Sequence, residues 1–141
     1  MATPRAAQVT VGDELPGRTL AVDRARLVQY AGASLDRNPI HWDERFARSV
    51  GLPDVIAHGM WTMGAAIDVV CAWAGGADRV RSYAAKFVKP VVVPYDGGAE
   101  VLVTGRVTKL DLAAGQATVE LTATSGGDKV LGRAVAVVQL D

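Results

Sequence analysis

Residues 59–76, GMWTMGAAIDVVCAWAGG, decide how the rest of this chain must be arranged. Read as a helix, the stretch is apolar on every face, with Thr62 and Asp68 the main interruptions. A helix that is hydrophobic all round needs protein on all sides. It is too short and too rich in glycine and alanine to prefer lipid, which calls for about 20 strongly apolar residues. The stretch therefore predicts a central core helix.

Downstream of that helix the chain reads as strands. Residues 80–93 form an apolar run broken by Pro90 and closed by the turn sequence Pro94-Tyr95-Asp96-Gly97-Gly98. Residues 100–110 follow, and 117–124 alternate apolar and polar side chains as a half-solvated strand does. A second turn, Ser125-Gly126-Gly127-Asp128, leads into a last strand over 129–140. Upstream, strand signals at 8–11 and 18–22 are separated by the turn-forming Leu15-Pro16-Gly17. Asp23 stands where an N-cap belongs, and Leu27, Val28, Tyr30 and Ala31 give helical spacing up to Gly32. Asp43 is placed to cap a short helix over 44–49. Antiparallel strands joined by short turns, with one core helix, predict an α+β class in which the sheet curls around the helix.

Composition narrows the function. A chain of 141 residues suits one domain, spanning 1–141, and half its residues are hydrophobic, enough to build a core. Fifteen basic residues balance fifteen acidic ones, which argues against a nucleic-acid partner. The opening MATPRAAQVT lacks the apolar centre of a signal peptide, and no run is long enough to span a membrane, so a cytoplasmic protein is expected. The lone Cys71 forms no internal disulfide and reads as a buried small hydrophobe.

Chemistry concentrates at residues 34–43, SLDRNPIHWD. Asp, Asn and Pro are ordinary punctuation between helices, so a structural turn accounts for the residue types. The spacing allows more. Asp36 and His41 lie on either side of Pro39, near enough to face one small volume, where a carboxylate and an imidazole could hold a water and move protons near neutral pH. Pro39 would stiffen the loop and Asn38 brace it through side-chain hydrogen bonds to the main chain. Adding water to a polarised double bond, or removing it, also needs donors for a carbonyl oxygen. At Ile56-Ala57-His58-Gly59-Met60 the core helix begins, and its first N–H groups have no intrahelical partner. Gly59 would admit a substrate to them, and the helix dipole favours an enolate-like oxygen there. Equally, Gly59 could serve tight packing and His58 could cap the helix.

The sequence Tyr30…Asp36-x-Asn38-Pro39-Ile40-His41-x5-Ala47 resembles the MaoC-like (R)-specific enoyl hydratases and dehydratases. The resemblance extends to Val11-Gly12-Asp13-Glu14-Leu15-Pro16, to the Ala57–Met60 helix entry and to Phe87-Val88-Lys89-Pro90-Val91. Through NPIHWD, IAHGM and VPYDGG it is similar to the catalytic B-type subunits of mycobacterial (3R)-hydroxyacyl-acyl-carrier-protein dehydratases.

That resemblance implies a hot-dog fold, pairing of subunits edge strand to edge strand, and an active site at the interface. It assigns catalysis to Asp36 and His41 and an oxyanion contact to the Gly59 N–H. His41 would take the C2 proton of a (3R)-3-hydroxyacyl thioester while Asp36 holds the departing hydroxyl; no metal or other cofactor is implied. The partners implied are a thioester of acyl carrier protein or coenzyme A and a second subunit, identical or a non-catalytic sister. Arg79, Arg81, Lys86 and Lys89 are candidate contacts for a phosphate-bearing carrier arm, or equally solvated strand ends.

Two positions depart from the family pattern. Leu35 replaces the usual glycine, a source of strain if the site requires positive φ. Trp61 stands where a slimmer residue is common, so it and Met60 are candidate walls of the acyl pocket, and core packing against the sheet accounts for Trp61 equally well. Hydration in polyketide synthesis or fatty-acid breakdown, passive acyl binding, and thioester hydrolysis remain open alternatives.

Overall fold

The alternating segments build the centre of one antiparallel sheet. The computed structural model describes residues 4–141; the reading of the amino terminus falls partly on residues 1–3, which lie outside the described residues. Its strands are β1 (Glu14–Val22), β2 (Val80–Phe87), β3 (Ala99–Asp111), β4 (Gln116–Ser125) and β5 (Asp128–Gln139). They lie in the order β1-β3-β4-β5-β2, which leaves β1 and β2 as the edges. The helices α1 (Arg24–Ser34), α2 (Glu44–Ser49) and α3 (Gly59–Ala74) all fall between β1 and β2 in the chain.

Period-two patterning sends Val101, Val103 and Val107 of β3 and Ala117, Val119, Leu121 and Ala123 of β4 to the same buried face. The small residues among them let α3 approach closely, and it touches all five strands. Asp23 caps α1 by accepting from the Arg26 N–H at 2.8 Å, and Asp43 caps α2 by accepting from Phe46 N–H at 3.1 Å.

Four local expectations change. Residues 8–11 are not a strand: a 3-10 turn over Ala6–Gln8 precedes a tight turn held by Asp13, whose carboxylate accepts from Thr10. Leu15-Pro16-Gly17 is not a turn between strands but lies inside β1, where the register against β3 shifts between Leu15 and Arg18. Proline cannot donate to a ladder, so a bulge on an edge strand is where a sheet accepts it. The run over 80–93 ends as a strand at Phe87, and beyond Pro90 only Val92 bridges, to Ile56.

The fourth change concerns α3. Thr62, Ala66, Val69, Val70 and Ala74 are buried, while Met60, Gly64 and Asp68 are exposed on the other side. One chain's sheet covers one face of this apolar helix and leaves the other open. Cys71 is accordingly half-buried rather than buried; burial, then the Asp68 carboxylate, pushes its thiol pKa up.

Candidate active site

The loop between α1 and α2 is built almost entirely from local hydrogen bonds. Leu35 ends α1 at φ 63°, in the left-handed region, with its side chain exposed. The chain reverses there, and the strain expected of a leucine in a glycine position is present. The Asp36 carboxylate then accepts from the Asn38 N–H at 3.2 Å. Asn38 Oδ1 accepts from the Ile40 N–H at 3.2 Å, capping a 3-10 turn over Pro39–His41 in which Pro39 needs no donor. Trp42 Nε1–H closes the loop on the Arg37 carbonyl at 3.1 Å. Arg24, at the start of α1, ties the flanking segments together, reaching Glu44 of α2 at 2.8 Å, Asp54 at 2.5 Å and the Val93 carbonyl at 3.1 Å.

This scaffold brings His41 and Asp36 together. His41 is buried, and its Nδ1 lies 2.7 Å from the Ile56 carbonyl. A carbonyl can only accept, so Nδ1 carries the proton and Nε2 presents a lone pair. Nε2 lies 4.0 Å from Asp36 Oδ2, a carboxylate that remains open to solvent. Burial, above all, lowers the His41 pKa; the Ile56 hydrogen bond opposes it, and His58 and Asp36 pull in opposite directions. The result is a neutral imidazole suited to taking a proton near pH 7.

Gly59 begins α3 beside this pair. His58, the residue before it, makes no side-chain cap, so the first-turn N–H groups are not met from there. A cleft of about 340 Å3 runs past His41, Gly59 and Thr62 between walls of Ile40, Ile56, Val88, Val91, Val130 and Leu131. Phe87 also lines it, and its ring would lie 3.1–3.2 Å from any Cβ at position 59. The nearby Phe87 ring fits the tight-packing role that the sequence allowed for Gly59 beside substrate approach. Met60 and Trp61 do not line this cleft: Met60 is exposed, and Trp61 packs against the core beside Tyr30 and Ala33. Lys89 lies at the cleft and pairs with Asp128 at 2.8 Å, Arg79 pairs with Asp141 at 2.7 Å, and Arg81 and Lys86 are exposed on β2.

A residue read only as a possible cap is part of the same cluster. His58 stacks on His41 with ring centroids 3.6 Å apart, and its Nε2 lies 3.0 Å from the Asp36 carbonyl. Asp36, His41 and His58 place ligand-type atoms within 4.8 Å of one another. They do not suit one metal ion, because an ion lies in the plane of each imidazole it binds, and these two planes are nearly parallel at 20°. The IAHGM segment held the signal for His58, one of only two histidines in the chain.

The MaoC like domain family model matches residues 6–125. The chain belongs to this family. The MaoC-like domain is 38% identical over 86 residues to 3-hydroxyacyl-thioester dehydratase X of Mycobacterium tuberculosis, covering 61% of this chain and 30% of that protein. It thus spans under a third of that relative. A solved MaoC-like dehydratase superposes with a TM-score of 0.97 at 42% identity, over 99% of this chain and 43% of the other. An (R)-hydratase from A. caviae involved in PHA biosynthesis superposes with a TM-score of 0.83 at 26% identity, over 94% of this chain and 98% of the other. The MaoC-like domain therefore has the hot-dog fold expected from its sequence: one antiparallel sheet curved over a long helix.

Proposed function

We propose that this MaoC-like domain is a hydro-lyase that reversibly removes water from (3R)-3-hydroxyacyl thioesters, in fatty-acid elongation. One observation carries the proposal: a neutral His41, fixed through Nδ1 on Ile56, aims Nε2 toward Asp36 at 4.0 Å beside the start of α3. In dehydration, His41 Nε2 takes the C2 proton and electrons move toward the thioester oxygen, which the Gly59 N–H stabilises. The C3 hydroxyl, oriented by Asp36, departs on the same face and receives that proton to leave as water. Hydration runs the same path backwards. Both proton transfers occur on one face, so one acid–base pair suffices for a syn reaction and no metal or redox group is required. The names of the M. tuberculosis dehydratase and the A. caviae (R)-hydratase support this class.

The proposed substrate is a fatty-acyl thioester whose chain enters the apolar cleft, and the carrier is an acyl carrier protein or coenzyme A. The proposed assembly is a dimer, with an identical chain or a sister subunit lacking the pair. The exposed Met60, Phe87 and Val88 and the open edge of β2 give such a partner an apolar surface and unpaired main-chain groups. No helix among the described residues is long and apolar enough to cross a membrane, which fits the proposed cytoplasmic setting.

The assay offers the chain a short trans-2-enoyl thioester and follows both enoyl absorbance and free thiol. Loss of absorbance without thiol release is expected. Thiol release without hydration would make the domain a thioesterase, and neither signal in any assembly would make it a passive acyl-binding subunit.

A further inference from the structure

His58 is a polar side chain only 2% exposed, in a place where an apolar residue would avoid the cost of desolvation. It spends neither nitrogen on the helix it precedes. Its Nε2–H donates to the main-chain carbonyl of Asp36 at 3.0 Å, and its Nδ1 is buried without a partner. Its ring lies 3.6 Å from that of His41 at 20°, and Tyr30 packs against it at 4.7 Å.

We infer that His58 is a positioning residue for the proton-transfer pair: its Nε2–H fixes the main chain of Asp36, while its stacked ring sets the plane of His41 and keeps water off it. The catalytic consequence rests on the dehydratase reading; the hold on His41 does not. Asp36 is the exposed member of the pair, and most of its other hydrogen bonds are within its own loop. His58 supplies a contact to it from the N-cap position of α3, the element that also presents Gly59, and so ties both halves of the site together. Small displacements of such groups are costly, because transfer depends on alignment.

The stack also bears on proton affinity. Charged or titratable groups face His41 and His58 from each packed element: Asp36 in the loop, Tyr30 on α1 and Lys89 across the cleft. Of these, His58 is the one laid flat against the His41 ring. Removing it admits water and takes away a neighbouring imidazole, and both changes raise the affinity of His41 for a proton.

The test uses His58→Ala and His58→Gln in the full chain. The chain has two histidines, so either variant leaves His41 as the sole imidazole, and its Cε1–H can be titrated by proton NMR. The His41 midpoint is expected to rise in both variants, moving the acid limb of kcat/KM to higher pH. In His58→Ala, kcat is expected to fall about tenfold or more while KM stays within about twofold. Gln, whose amide can reach the Asp36 carbonyl, is expected to restore most of kcat. If the alanine variant does not fold, the glutamine variant decides through the titration. An unchanged His41 midpoint, or wild-type kcat in both variants with His41→Ala inactive, overturns this inference and leaves the dehydratase reading intact. Absence of hydratase activity in any assembly, with the midpoint shift present, removes that reading and retains the hold of His58 on His41.

Discussion

His41 is buried and holds its proton weakly, and that sets how the protein responds to acid. Its folded pKa lies below the ordinary 6.5, chiefly through burial, so the folded state binds its proton less readily than the unfolded chain does. Above about pH 6.5 the group contributes no pH dependence; as the pH falls below that value, the unfolded state gains protons first and stability is lost. Urea midpoints measured downward from pH 7 should therefore decline more steeply in the wild type than in His41→Phe, and the rate should fail on the acid side with the same group. Leu35 presents a second expectation. At φ 63° with an exposed side chain, it pays for a left-handed turn, so Leu35→Gly should raise stability by about 0.5–1 kcal/mol in chemical denaturation. The positions of Asp36, Asn38, Pro39 and His41 were legible in sequence because one short loop makes most of their contacts. His58 stood out in the IAHGM segment, but its place beside His41 was not legible, because its partners lie 17 and 22 residues back along the chain and no local pattern reports a stacked ring.

At the scale of elements, the entry to α3 and the turn into β3 depend on glycine for different reasons. Alanine at 59 would favour the helix by about 1 kcal/mol, yet its Cβ would meet the Phe87 ring at 3.1–3.2 Å. Gly59→Ala should thus leave the melting temperature within a few degrees of wild type while lowering kcat/KM, and Phe87→Leu should relieve part of that loss. At Gly98, φ is 63° and a Cβ would stand 2.5 Å from the Val22 carbonyl, a main-chain atom that cannot step aside. Gly98→Ala should cost about 2–3 kcal/mol, read as a lower urea midpoint at unchanged slope. The strands over 99–139 were legible because each buries one face, and alternation records that. Residues 15–17 misled because Pro-Gly is turn chemistry in isolation, whereas an edge strand can absorb it as a bulge. The run over 80–93 misled because apolar residues there line a cleft instead of extending a ladder.

At the scale of the molecule, α3 connects fold to assembly. Its sequence is apolar all round, but a single chain buries only the face toward the sheet. The proposed second subunit would cover Met60 and continue the sheet beyond β2. Light scattering on the purified chain should report a dimer at micromolar concentration, and Val88→Asp or Phe87→Asp should shift it toward monomer. The central claim is that Asp36 and His41 together move the proton in water addition and removal. It is tested most directly by comparing hydration of a short trans-2-enoyl thioester by the wild type, Asp36→Asn and His41→Ala, all shown to be folded. A loss of roughly 10²–10⁴-fold in kcat is expected for each variant; turnover at the wild-type rate by either folded variant would contradict the claim.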